Sequence, residues 1–244
     1  SDPTSLAAAA RSVDGRRTAI LPGLANAHTH SAMVIMRSLA DDMPLMPWLN
    51  EKIWPFEAHL TEEDVYWAAR LACLDMIRSG TTFFNDMYWF VHGTARAARD
   101  SGLRCLLAPA MIDLGDPARS KAAQAEHEEL LERASSYGPR VQFAIAPHAI
   151  YTVGEAQLRW SRDFAQAHGW PLHMHLSETE VEVRQSLERT GLRPVAYLDG
   201  LGLLGPRFLA AHAVHLEDDE IDLLAERGVH VLHNPTSNLK LASG

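Results

Sequence analysis

Histidines stand out among the residues able to do chemistry: 13 of the 244 positions are His, and several close apolar stretches. His28-Thr29-His30 ends the segment AILPGLANAHTH at 19–30. In an extended segment positions i and i+2 face the same side, so both imidazoles point at one spot, as metal ligands must. Alone, such a pair is equally a core histidine beside a loop histidine. Three more apolar runs end alike: VQFAIAPH in His148, PLHMHLSE in His175 and Glu178, and FLAAHAV just past His212. A buried neutral imidazole needs a partner for each nitrogen, so repeating that demand at several strand ends points beyond packing. Imidazole and carboxylate suit zinc, iron and manganese, and a catalytic centre keeps one position open. Glu178, three residues past His175, is placed to carry protons for a metal-activated water. The other reading of Glu178 is an acidic residue favoured by a helix N-terminus. His173 shares the strand face of His175 and is placed to support it. His215 and His233 read as structural neighbours.

Seven strands must position these groups. They fall at 19–30, 81–87, 103–110, 141–148, 171–178, 208–214 and 229–235, with helix-like stretches between them. One helix is expected over 61–79, with Thr61 as its cap, Glu62 and Glu63 in its first turn and Gly80 closing it. Strands alternating with helices imply βαβ units and a parallel sheet, and apolar character on both strand faces implies cover on both sides. Polar residues at the strand ends fit an α/β TIM (β/α)8 barrel, whose site lies at the C-terminal ends of the strands. A doubly wound open sheet is the alternative, weakened because no Gly-x-Gly-x-x-Gly turn follows the first strand. Residues 31–60, rich in Met, Pro and Trp, read as a long loop capping the mouth. One strand short of eight, the chain is expected to be a fragment, with the barrel over 19–244 incomplete at its C-terminus before strand 8.

Composition narrows the function classes. With 22 basic against 31 acidic residues the net charge is −9, unlike a nucleic-acid-binding surface. No apolar run approaches the ~18–20 residues that span a bilayer. No basic segment precedes an apolar core at the N-terminus, so no secretory signal is expected. Cys73 and Cys105 cannot form a disulfide scaffold; they read as buried thiols, and the expected location is cytoplasmic.

The ordered segments LPGLANAHTH (21–30), SGTTFFNDM (79–87), APHAIYT (146–152), HMHLSET (173–179), AHAVHL (211–216) and HNPTSNLKLASG (233–244) resemble the amidohydrolase superfamily. They are most similar to its branch of S-adenosylhomocysteine and methylthioadenosine deaminases, guanine-type deaminases and triazine chlorohydrolases. That resemblance implies a (β/α)8 barrel with a small β-sandwich, here largely missing, of which residues 1–18 would be a remnant or linker. It implies one divalent metal, zinc with iron or manganese as alternatives, held by His28, His30 and His175. Glu178 would shuttle the proton, His212 would orient the attacking water, His148 would contact the substrate ring and Trp48 would close over it. The family's last metal ligand, a strand-8 Asp, lies outside the sequence, and Asp218, Asp219 and Asp222 are placed in a helix that cannot replace it. The implied reaction is hydrolytic loss of ammonia from an aminated purine-type ring such as methylthioadenosine or S-adenosylhomocysteine. Guanine or pterin deamination, triazine dechlorination and a catalytically incomplete metal-binding barrel are the alternatives. Where some members carry a ribose-binding Glu, this sequence has Met46, which suits an apolar thioether or a base without sugar. The expected partner is a small heterocycle, with neither nucleic acid nor membrane, and a homodimer would be unsurprising.

Overall fold

The computed structural model describes residues 13–40 and 43–243. The expected N-terminal remnant therefore lies mostly outside the described residues, and residues 13–20 form turn and coil. Strand β1 spans Leu24–Thr29, β2 Thr81–Tyr88, β3 Arg104–Met111, β4 Val141–Phe143, β5 Ala146–Pro147, β6 Leu172–Leu176, β7 Phe208–His212 and β8 His230–Leu232. Each strand runs parallel to its neighbours, in the orders β1-β2-β3-β4, with β5 also on β3, and β6-β7-β8. The amide of His173 donates to Ile145 O (2.8 Å) and that of His175 to His148 O (3.0 Å), joining the two ladders into one run in chain order. The expected continuous strand at 141–148 is divided because Ile145 donates its amide to Pro171 O while Ala144 still donates to Leu107 O. No ladder joins β8 to β1 among the described residues.

Helices α1 to α10 span Leu45–Trp48, Trp54–Glu57, Glu62–Arg78, Val91–Ser101, Pro117–Arg133, Glu155–His168, Glu180–Thr190, Pro194–Gly200, Asp218–Glu226 and Pro235–Lys240. The start of α3 follows its sequence signature. Thr61 Oγ1 accepts from Asp64 N (3.2 Å), Asp64 Oδ2 accepts from Thr61 N (2.9 Å), and Gly80 takes φ +84 beyond the last turn. Cys73 and Cys105 are buried free thiols. Asp218, Asp219 and Asp222 lie in α9, as expected.

The segment 31–60 is not an open loop. It folds into a 3-10 turn (Ser31–Met36), α1, a π turn (Leu49–Ile53) and α2. Its apolar residues explain why: Ala32, Met36, Leu49 and Ile53 are buried with Val65 and Ala68 of α3 and Tyr88 of β2. Two short helices, α8 and α10, also go beyond the expected set. Among the described residues no helix is long and apolar enough to cross a membrane.

Candidate metal centre

All seven expected site residues line one cavity of 340 Å³ at the C-terminal ends of the strands. His28 leaves from β1 with His30 immediately after it, and His175 lies on β6; each offers a nitrogen within 4.8 Å of the other two. His148 follows β5 and His212 ends β7.

Hydrogen bonds fix the tautomers. A carbonyl oxygen only accepts, so His30 Nδ1, 2.6 Å from Met87 O, and His175 Nδ1, 2.9 Å from His148 O, both carry protons. Their Nε2 atoms, 3.3 Å apart, then present two lone pairs to each other. His28 Nδ1 is 2.8 Å from His173 Nε2. The amide N–H of Asn85 also faces that His173 nitrogen, at 3.5 Å, so Nε2 of His173 accepts and His28 Nδ1 donates. Three bare imidazole nitrogens thus converge with no donor between them, an arrangement a cation satisfies. Burial lowers the pKa of all three, His28 and His175 well below the usual 6.5, so they stay neutral as ligation requires. The donor set fits zinc.

The groups beside this trio are similarly oriented. Thr152 Oγ1 donates to Ala149 O (3.1 Å) and accepts from His148 Nδ1 (2.9 Å), which leaves His148 Nε2 as an acceptor. His212 Nδ1 donates to Asn238 Oδ1 at 2.7 Å and lies 3.7 Å from Glu178 Oε1. Burial pushes Glu178 up to about 8, with the neighbouring Glu182 carboxylate adding to the shift. It holds His148 down to about 3 and His212 down to about 4. Trp48 lines the wall built by the 31–60 segment.

Sequence reasoning missed several contributors. Glu57 is a second carboxylate on the cavity wall, bound by Trp89 Nε1 (3.1 Å) and raised by burial. Tyr151 lies close beyond His148, ring to ring at 6.0 Å. Asn238 comes from α10, a stretch noticed only for its resemblance. The alternation of polar and apolar residues carried no signal for any of them, because each reaches the site from a loop or a helix. His215 Nε2 donates to Ser243 O and lines a neighbouring cavity, and His233 lines a third, which it shares with His28.

The chain is similar to known proteins over nearly all of its length. Residues 19–244 match the model of the amidohydrolase family. The chain is 50% identical over 232 residues to a 5′-deoxyadenosine deaminase of Methanoregula boonei, covering 95% of this chain and 52% of that protein. It is 50% identical over 238 residues to a 5-methylthioadenosine/S-adenosylhomocysteine deaminase of Syntrophobacter fumaroxidans, covering 97% and 54%. An adenosine deaminase structure from Xanthomonas campestris with bound zinc superposes with a TM-score of 0.86 at 42% identity, covering 91% of this chain and 51% of that one. The chain spans about half the length of the curated relatives it matches. With nearly all of its length matched in sequence and fold, this chain belongs to the amidohydrolase family.

Proposed function

We propose that this chain carries the site of a metal-dependent deaminase for 6-aminopurine nucleosides altered at the 5′ position, such as 5′-deoxyadenosine, methylthioadenosine or S-adenosylhomocysteine. The observation that carries this reading is the convergence of His28, His30 and His175 in one cavity with Glu178, His212 and His148. The names of the half-identical relatives supply the substrate class. Parallel strands in chain order, with the site at their C-terminal ends, support the reading of the fold as a (β/α)8 barrel.

His28, His30 and His175 would hold the metal. Such a cation supplies positive charge that polarises an attacking water and lowers its pKa. Glu178 is buried and raised to about 8, so it exchanges a proton near neutral pH. It takes a proton from the attacking water and gives it to the ring nitrogen as the water oxygen bonds to the ring carbon; it then carries the remaining hydroxyl proton to the amino group, the carbon–nitrogen bond breaks, and ammonia leaves a ring carbonyl behind. Asn238 holds the proton of His212 on Nδ1, which leaves Nε2 free to accept from the water. His148 Nε2 is free to accept from the substrate. Trp48, with the short turns around it, closes the mouth over the purine.

Met46 does not line this cavity but an adjoining one of 460 Å³, which shares Leu45, Tyr151 and Leu241 with the first. Its wall combines Pro44, Met46, Pro47 and Val181 with Glu180, Gln185 and His215, which suits a 5′ substituent with an apolar stem and a polar end. The deciding experiment is ammonia release by zinc-loaded protein from the three nucleosides, with guanine and a chlorotriazine alongside. Release from the nucleosides is expected. Faster turnover of guanine or the triazine, or none on any nucleoside with zinc bound, would overturn the reading.

A further inference from the structure

Glu182 is 2% exposed, and the groups that act on its carboxylate are backbone N–H groups rather than a cation. A buried, unpaired carboxylate is costly unless hydrogen bonds replace its water. Thr179 caps α7, and Glu182 sits three residues on, the spacing of a capping box. In that motif the carboxylate takes the N–H of the capping residue. Here its oxygens take the Thr179 backbone and also reach further back: Oε1 accepts from Ser177 N at 2.9 Å and Oε2 from Glu178 N at 2.8 Å. The side chain therefore grips the backbone of the residue proposed to move the proton.

The gripped turn is strained and shared. Ser177 is held at φ +48, in the left-handed region that non-glycine residues avoid. On the adjoining turn His212 stands at φ +75 and Ala213 at φ +51. The two turns are bonded together. Ala213 N donates to Leu176 O (2.9 Å), and Val214 N and His215 N donate to Ser177 O (3.1 and 2.9 Å). Strained residues of this kind persist only where their surroundings over-determine them. Ser177 thus has its N–H fixed by Glu182 and its C=O fixed by the turn that carries His212.

We infer that Glu182 is a positioning residue: its carboxylate locks the joined β6–α7 and β7–α9 turns and so sets the 3.7 Å approach of Glu178 to His212. This rests on the deaminase reading for its kinetic consequence but not for its structural one. Glu182 borders the 460 Å³ cavity, but both of its carboxylate oxygens are taken by backbone N–H groups, so loss of the lock acts on turnover more than on binding.

The test uses zinc-loaded intact protein and Glu182→Gln, which keeps the shape but turns an N–H donor against one of the two backbone N–H groups. Amide hydrogen exchange over residues 176–181 is expected to accelerate, with zinc still stoichiometric. For 5′-deoxyadenosine, kcat should fall about 10- to 100-fold while KM stays within about threefold. Glycine adopts φ +48 freely, so adding Ser177→Gly to Glu182→Gln should recover about fivefold or more of the lost kcat. A purely structural role would lower the melting temperature but leave kcat per folded molecule unchanged and unresponsive to Ser177→Gly. Should Glu182→Gln fail to fold, Glu182→Asp, which withdraws the oxygens by one methylene, carries the same measurements. Unchanged exchange overturns the inference whatever the activity, and so does kcat within about twofold of wild type once exchange has accelerated. A wild-type protein that releases no ammonia from any nucleoside sinks the deaminase reading alone, and the exchange measurement then decides the lock.

Discussion

At the scale of the residue, chemistry here depends on which nitrogen of each imidazole carries its proton. Carbonyls of Met87 and His148 fix His30 and His175, and the His173–Asn85 pair fixes His28. Replacing His175 by Ala removes one of three donors and should abolish stoichiometric zinc, read by metal analysis of the purified protein. Glu178→Gln leaves the trio intact; zinc should stay while turnover drops about 10²- to 10⁴-fold, the range for a lost proton-transfer group. A Glu178→Gln enzyme that turns over normally ends the proton-shuttle role. Asn238 acts through His212, since its Oδ1 holds the Nδ1 proton. Asn238→Ala should lower kcat about 10- to 100-fold with little change in zinc content.

At the scale of the element, strands deliver the ligands and helices supply the burial that keeps them neutral. The same burial acts far from the site, on α5. His127 is fully buried there; its Nδ1 donates to Ala123 O at 2.8 Å and its ring packs edge-on to Trp160 and Phe164. Desolvation holds its pKa down to about 4 against 6.5. The unfolded chain protonates this histidine below 6.5 while the folded protein does so only near 4. Its contribution is therefore complete above 6.5 and is lost as pH falls toward 4, by about 3 kcal/mol at most. His127→Leu cannot take up that proton. Its melting temperature should fall less between pH 7 and pH 5 than that of wild type, and parallel acid limbs would show that His127 is not responsible.

At the scale of the whole molecule, metal binding and stability are linked. The histidine trio proposed to hold the metal, drawn from the end of β1 and from β6 and 145 residues apart between His30 and His175, exists only in the folded chain. Zinc at 1,000 times its dissociation constant should stabilise the protein by about 4 kcal/mol over the chelated form. Thermal unfolding with and without chelator measures this, and a melting temperature indifferent to zinc would mean the trio does not bind it. The adjoining cavities lie at the same end of the parallel sheet, so the 31–60 segment and the residues after β7 shape them together.

The sequence by itself determined what short-range periodicity can encode. Alternation put His28 and His30 on one strand face, strand–helix alternation announced parallel strands, and Thr61 with Glu62 and Glu63 announced the start of α3. It also determined which strand ends are polar, and hence where a site would form. Three things depended on tertiary structure. The 31–60 segment took up helical turns because its Met, Leu, Ile and Trp side chains found a face of α3 and β2 to cover, which no local pattern states. Asn238 reached His212 across 26 residues, and Met87 O reached His30 across 57. The Glu182 lock had no sequence signal beyond its three-residue spacing from Thr179, because which N–H groups a carboxylate takes is settled by the strained turn packed against it. Local propensity acts over a few residues, whereas the protonation and aim of each site group are set by whatever the fold brings to its other side.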